Sequence, residues 1–169
     1  MYDQVGGGFH RYAVDAMWLV PHFEKMLYDN GQLLEVYAAA IAHAADDAAR
    51  QQYARVIRET CEYVLREMTD ASGAFWSAQD AEVNAHEGGN YIWTPSEIEQ
   101  AIDDPQLAAL ALKMYGLTQG TNFQDPHIPG APPVNVLYLP VSLAELADEM
   151  GVSRDQLHAQ RSEINNRLK

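Results

Sequence analysis

Two apolar stripes at helical spacing, set one after the other with a short break, constrain this chain most. Phe23, Met26, Leu27, Leu33, Leu34, Tyr37 and Ile41 recur every three or four residues, the period of one helix face. Asp46-Asp47 interrupts the pattern. A second stripe follows in Tyr53, Val56, Ile57, Cys61, Val64, Leu65 and Met68. Two helices that each carry one apolar face, joined by a short link, bury those faces best as an αα-hairpin. Pro21 suits a first helical position, where its missing N–H costs nothing. The hairpin is therefore expected over 21–68.

The remainder reads as shorter pieces. Thr69 to Gly73 is a turn. Phe75-Trp76-Ser77 and Tyr91-Ile92-Trp93 look like two aromatic strands around a polar loop from Gln79 to Asn90, which predicts a β-hairpin over 74–93. Thr94-Pro95-Ser96-Glu97 has the pattern of a capping box, and Asp104-Pro105 starts another helix that Gly116 stops, giving helices over 95–116. The stretch from Thr118 to Val136 holds four of the eight prolines and shows no periodicity, so 117–141 is expected to be a long loop. Ser142-Leu143-Ala144-Glu145 and Ser153-Arg154-Asp155-Gln156 open the C-terminal helices, 142–169. The last helix has no stop signal, as expected of a piece of a longer chain. The fold class is all-α with a small β-hairpin insertion. A length of 169 residues suits a single domain, 1–169, with two small ones also accommodated.

Charge narrows the partners. Eleven basic residues against 24 acidic ones give a net charge of −13. A nucleic-acid binder needs a basic patch to neutralise phosphates, so nucleic acid and anionic membrane are excluded as expected partners. No run reaches the ~20 apolar residues of a membrane span, and the first residues lack a basic region followed by an apolar one. The expected location is cytoplasmic. The single cysteine, Cys61, lies in the second stripe and is expected to be a buried, inert thiol. Gly6-Gly7-Gly8 reads as a tight turn that permits close approach to another group, because neither a phosphate loop nor a dinucleotide fingerprint surrounds it. No cofactor is expected. No pair of histidines has metal-ligand spacing, His86 and His127 standing alone, so no structural zinc is expected either. No Gly-x-Ser-x-Gly elbow supports a serine hydrolase.

The densest motif is Gly7-Gly8-Phe9-His10-Arg11-Tyr12, followed by Trp18-Leu19-Val20-Pro21-His22-Phe23-Glu24-Lys25-Met26-Leu27-Tyr28-Asp29-Asn30. With Gly73-Ala74-Phe75-Trp76-Ser77-Ala78-Gln79-Asp80-Ala81-Glu82, Glu87-Gly88-Gly89-Asn90-Tyr91-Ile92-Trp93, Tyr115-Gly116, Asn122-Phe123 and Asn135-Val136-Leu137, it closely resembles the large thioredoxin-domain-containing proteins of the spermatogenesis-associated type. The resemblance implies a thioredoxin-like domain followed by an α/α toroid, similar to six-hairpin glycosidases and N-acylglucosamine 2-epimerases. This chain matches only early hairpins of that toroid, and no residue of it matches the redox domain. Glu82 stands where the family pattern has an aspartate. The implied function is carbohydrate-acting or carbohydrate-binding. The alternatives are an interaction scaffold that docks a thioredoxin-like domain or a client protein, with self-association through open hairpin edges, or a fragment inactive alone.

Several residues would carry such chemistry. On a helix from Pro21, His22, Lys25 and Asp29 share one arc: His22 as general base, Asp29 fixing its tautomer, Lys25 stabilising an anion. A capped helix start with a surface Lys25–Asp29 pair accounts for the same spacing. Glu24 falls on the opposite face, where it favours the helix dipole. Asp80 and Glu82 would share a strand face as paired carboxylates, with Trp76 and Trp93 stacking on a sugar ring. A polar hairpin loop, or a cation site including Glu87, is the other reading of those acids. His10 and Arg11 follow the glycines, and Arg11 would clamp a carboxylate or phosphate, or pair with a structural acid.

Overall fold

The computed structural model describes residues 1–169. The chain divides into two compact units, Met1–Glu87 and Gly88–Lys169. It is mostly helical, with six α-helices and three short antiparallel strand pairs.

The first unit holds the αα-hairpin: α1 (Leu27–Ile41) and α2 (Asp47–Glu67). The Asp46 side chain caps α2 by accepting from Ala49 N at 2.8 Å. The first helix starts six residues later than Pro21 suggests. Lys25–Met26 form a strand, β1, paired with Ala78–Gln79, β2. Burial alternates along this entry to the helix: Pro21, Phe23 and Lys25 are buried, while His22 and Glu24 are partly exposed. That period of two belongs to an extended chain, not a helix.

Gly6-Gly7-Gly8 turns flat against α2. Gly7 (φ +79°) and Gly8 (φ +75°) lie against the Glu59 backbone and the Tyr63 ring, where a Cβ would collide. Beneath the turn, Lys25 is wholly buried. Its ammonium pairs with Asp3 Oδ2 at 2.7 Å, donates to Gly7 O at 2.9 Å, and sits 4.2 Å from the Tyr63 ring centroid. Asn30, also buried, exchanges hydrogen bonds with the Phe9 backbone and donates to Met26 O at 2.8 Å. The glycine turn is thus bolted to both helices by polar side chains.

The predicted hairpin over 74–93 does not form as one unit. Besides β1–β2, Glu82–Val83 (β3) pairs with His86–Glu87 (β4) through a two-residue turn at Asn84 and Ala85, both at positive φ. Ile92–Trp93 (β5) pairs instead with Asn135–Val136 (β6) in the second unit. Cys61 and Leu65 are exposed, contrary to the expected buried stripe. The buried face of α2 runs through Val56, Thr60 and Tyr63.

In the second unit the helix starts lie at the capping motifs, whereas the expected loop over 117–141 contains a 3-10 turn, Leu117–Gln119, and strand β6. Helix α3 (Pro95–Ala101) starts with a complete capping box of Thr94 and Glu97, and α5 (Leu143–Met150) with one of Ser142 and Glu145. Asp104 caps α4 (Pro105–Met114), and Ser153 caps α6 (Arg154–Leu168). Gly116 and Gly151 end their helices in the left-handed region. Leu107, Leu110, Ala111, Met114, Leu146, Leu157 and Ile164 form an apolar core, with Tyr115 donating to Asn165 inside it. Asn122 clamps the loop by accepting from Val136 N and donating to Val136 O. No helix is long and apolar enough to cross a membrane.

Candidate functional site

The segment between the glycine turn and α1 is an irregular antiparallel hairpin. Arg11 N donates to Glu24 O, His22 N to Tyr12 O, and Val14 N to Val20 O. Its tip is held by one carboxylate: Asp15 Oδ1 accepts from Leu19 N and Val20 N, and Oδ2 from Met17 N. Trp18 there has φ 57° and is 75% exposed.

One flank of this hairpin collects aromatic and ionisable groups. The Tyr12 and His22 rings stack, with centroids 4.7 Å apart and planes 20° off parallel. Arg11 pairs with Glu24 at 3.1 Å. Tyr28, the Glu24 hydrogen bond and Asp29 all push the Arg11 guanidinium above its ordinary pKa, which links the hairpin base to the first turn of α1. Two polar atoms here are buried without a hydrogen-bond partner: His22 Nδ1 and Asp29 Oδ2. A buried polar atom left without a partner costs about 1–3 kcal/mol. Tyr12 and Tyr28 are about half exposed beside them.

The structure separates the other candidates. Lys25 and His10 face the interior of the first unit. Burial pulls the Lys25 ammonium down from its ordinary pKa, against the charge of Asp3. Burial would raise the Asp3 carboxyl, but the Lys25 charge and hydrogen bond outweigh it and hold Asp3 at about 2. Burial and the Lys25 charge push His10 down to about 3, and its Nδ1 lies 3.0 Å from Phe23 O. Lys25 therefore shares no helix arc with His22 and Asp29. Its role is a structural pair with Asp3, 22 residues away. Glu24 lies beside His22's side of the chain, not opposite it, and engages Arg11.

Asp80 and Glu82 are exposed, with Asp80 Oδ1 accepting from Glu82 N at 3.2 Å in a tight turn. Glu82 stands directly across from Glu87 in the β3–β4 pair. No group of three or more His, Cys, Asp or Glu side chains is placed to hold a metal ion. Trp76 is 58% exposed. Trp93 lies in the second unit, in β5 opposite Asn135, and Trp76 lies in the first unit outside any strand. Sequence reasoning passed over Tyr12 and Tyr28 as site residues. The alternation Pro21-His22-Phe23-Glu24 is a local signal for an extended segment, but nothing in it marks Tyr12 or Tyr28.

No protein-family model matches the chain. Human spermatogenesis-associated protein 20 is 40% identical over 141 residues, covering 73% of this chain and 17% of its own length. The mouse protein of the same name is 37% identical over 176 residues, covering 93% of this chain and 21% of its own. The chain belongs to the spermatogenesis-associated protein 20 family. It spans about a fifth of the length of these relatives. An uncharacterized protein of Caenorhabditis elegans is 34% identical over 119 residues, 66% of this chain and 16% of its own.

Proposed function

We propose that the flank formed by Arg11, Tyr12, His22, Tyr28 and Asp29 binds a carbohydrate, as one part of a sugar-binding or sugar-acting α/α toroid. The observation that carries this reading is the pair of half-exposed tyrosine rings, Tyr12 and Tyr28, on the flank where His22 Nδ1 and Asp29 Oδ2 lie just beneath the surface without a hydrogen-bond partner. A sugar offers an apolar C–H face to an aromatic ring, and its hydroxyls both donate and accept, so a small side-chain shift on binding would let them meet these two atoms. Arg11 and Glu24 offer a further donor and acceptor at the rim. Binding is the step these residues support. Asp80 and Glu82 are exposed in a tight turn, and no pocket encloses a substrate between them.

Thermal unfolding against a panel of mono- and disaccharides tests the reading. A ligand of the native state raises the midpoint with concentration. The rise is expected for at least one sugar class and should vanish in His22→Ala and Asp29→Ala, each first shown to be folded by circular dichroism. A panel that never moves the midpoint sinks the proposal, as does a shift that survives both substitutions.

A second reading, an interaction scaffold for a thioredoxin-like domain or another copy, draws on Val36, 59% exposed, and Leu65, 67% exposed, on the α1–α2 pair. Sedimentation distinguishes it: a monomer at high concentration, unchanged by Leu65→Glu, argues against self-association.

A further inference from the structure

We propose that the groove between α3 and α4 is a docking site for a basic helical peptide that inserts one apolar side chain. The groove lies wholly within the second unit and encloses about 250 Å³. Ile102, Pro105, Ala108, Ala109 and Leu112 line it, with Glu99 and Asp103 completing the lining. Two alanines on one helix leave room that a larger residue would fill. The volume falls below the range of about 300–1,000 Å³ that small-molecule pockets occupy. It suits one Leu- or Met-sized anchor, which is how an amphipathic helix engages a groove.

The charges around it select the flanks of the partner. Glu99 makes no ion pair, and the Asp103 side chain is 89% exposed, with Arg167 only at 3.7 Å. Nearby acids are otherwise engaged: Glu97 and Asp104 satisfy helix caps. The one lysine of α4, Lys113, is neutralised by Glu149 at 2.9 Å. The groove therefore meets solvent with one unpaired carboxylate, Glu99, and one held only by a long, exposed contact to Arg167, in a chain of net charge −13. A peptide with Lys or Arg on both sides of its anchor is complementary, and an acidic one is repelled.

The probe is a fluorescein-labelled, Ala- and Lys-rich helical peptide with one central Leu, titrated with the full chain and followed by anisotropy. Saturable binding is expected, weakening with added salt. It should fall about tenfold or more when the peptide Leu becomes Ala, and similarly in Ala109→Trp, which fills the groove. The Glu99→Lys/Asp103→Lys double variant should weaken it as much, and circular dichroism should show both proteins folded. No binding overturns the proposal. So does equal binding by the Leu-to-Ala peptide, by a peptide with Glu in place of Lys, or by both protein variants.

Discussion

The helices α1 and α4 make opposite use of similar material. Both are rich in Leu and Ala. The ten residues of α4 bury Leu107, Ala108, Leu110, Ala111 and Met114, whereas the fifteen of α1 bury only Asn30. The α4 region is therefore held mainly by apolar packing, with Asn165 and Arg161 of α6 buried nearby in the same unit. The N-terminal part of the first unit is held by a polar core: Lys25, Asp3, His10 and Asn30 beneath a glycine turn. Apolar burial tolerates gradual change, but a buried charge must keep its partner. The segment beneath the glycine turn should thus fail at single polar positions and α4 at single apolar ones.

The sharpest way to break this contrast is Lys25→Met. Removing the ammonium strands the Asp3 carboxylate, and loss of one partner of a buried pair costs about 3–5 kcal/mol. Urea unfolding should show that loss. Adding Asp3→Asn should recover much of it, because the amide oxygen can still accept from Val5 and Gly6. If the double variant is as weak as the single one, the charge is not what matters.

A smaller effect separates the helices themselves. Leu110→Ala should cost about 2–5 kcal/mol, as for other buried leucines. Val36→Ser in α1 should stay within about 0.5 kcal/mol of the parent. Hydrogen exchange, resolved by segment, reads each unit separately. Comparable losses at both positions would mean that α1 is buried in solution.

Acid sharpens the contrast more gradually. His10 has a folded pKa of about 3 against an ordinary 6.5, and Asp3 one of about 2 against 3.8. Both are depressed on folding, so the unfolded chain binds more protons than the folded one below those ordinary values. Each contribution is complete above the unfolded pKa and lost as pH falls toward the folded one. Stability of the first unit should decline from about pH 6.5 to 3 through His10, then from about pH 4 to 2 through Asp3. His10→Gln should flatten the upper limb and make the lower one shallower, because the His10 charge helps to hold Asp3 down while Lys25 remains its main partner. An unchanged upper limb would remove His10 as its cause.

What was legible in the sequence follows the same division. The second unit announces its helices locally: Thr94 with Glu97, Ser142 with Glu145, Asp104 before Pro105, and Gly116 and Gly151 as stops all act within a few residues of the helix end. In the first unit, Asp46 and the end of α1 were equally local. The start of α1 was not, because Lys25 pairs with Gln79, a partner far along the chain, in a strand of two residues. A segment that short carries no propensity of its own, and tertiary pairing overrides the helical pattern of Phe23 and Met26. The candidate site was legible as a motif but not as geometry. His22, Arg11 and Asp29 fall within one local region, whereas Lys25 turns inward toward Asp3. The exposed Cys61 and Leu65 show the same limit: an apolar stripe says which side of a helix is greasy, not which side is covered.

The burial of Lys25 also gives the molecule a chemical clock. The chain has three lysines, Lys25, Lys113 and Lys169, and the latter two are exposed. An acylating reagent meets two lysine amines on the native protein, and that of Lys25 only when the glycine turn lifts from α2. The rate at which the label appears on Lys25, read by peptide mapping, is then a direct record of how often this part of the molecule opens.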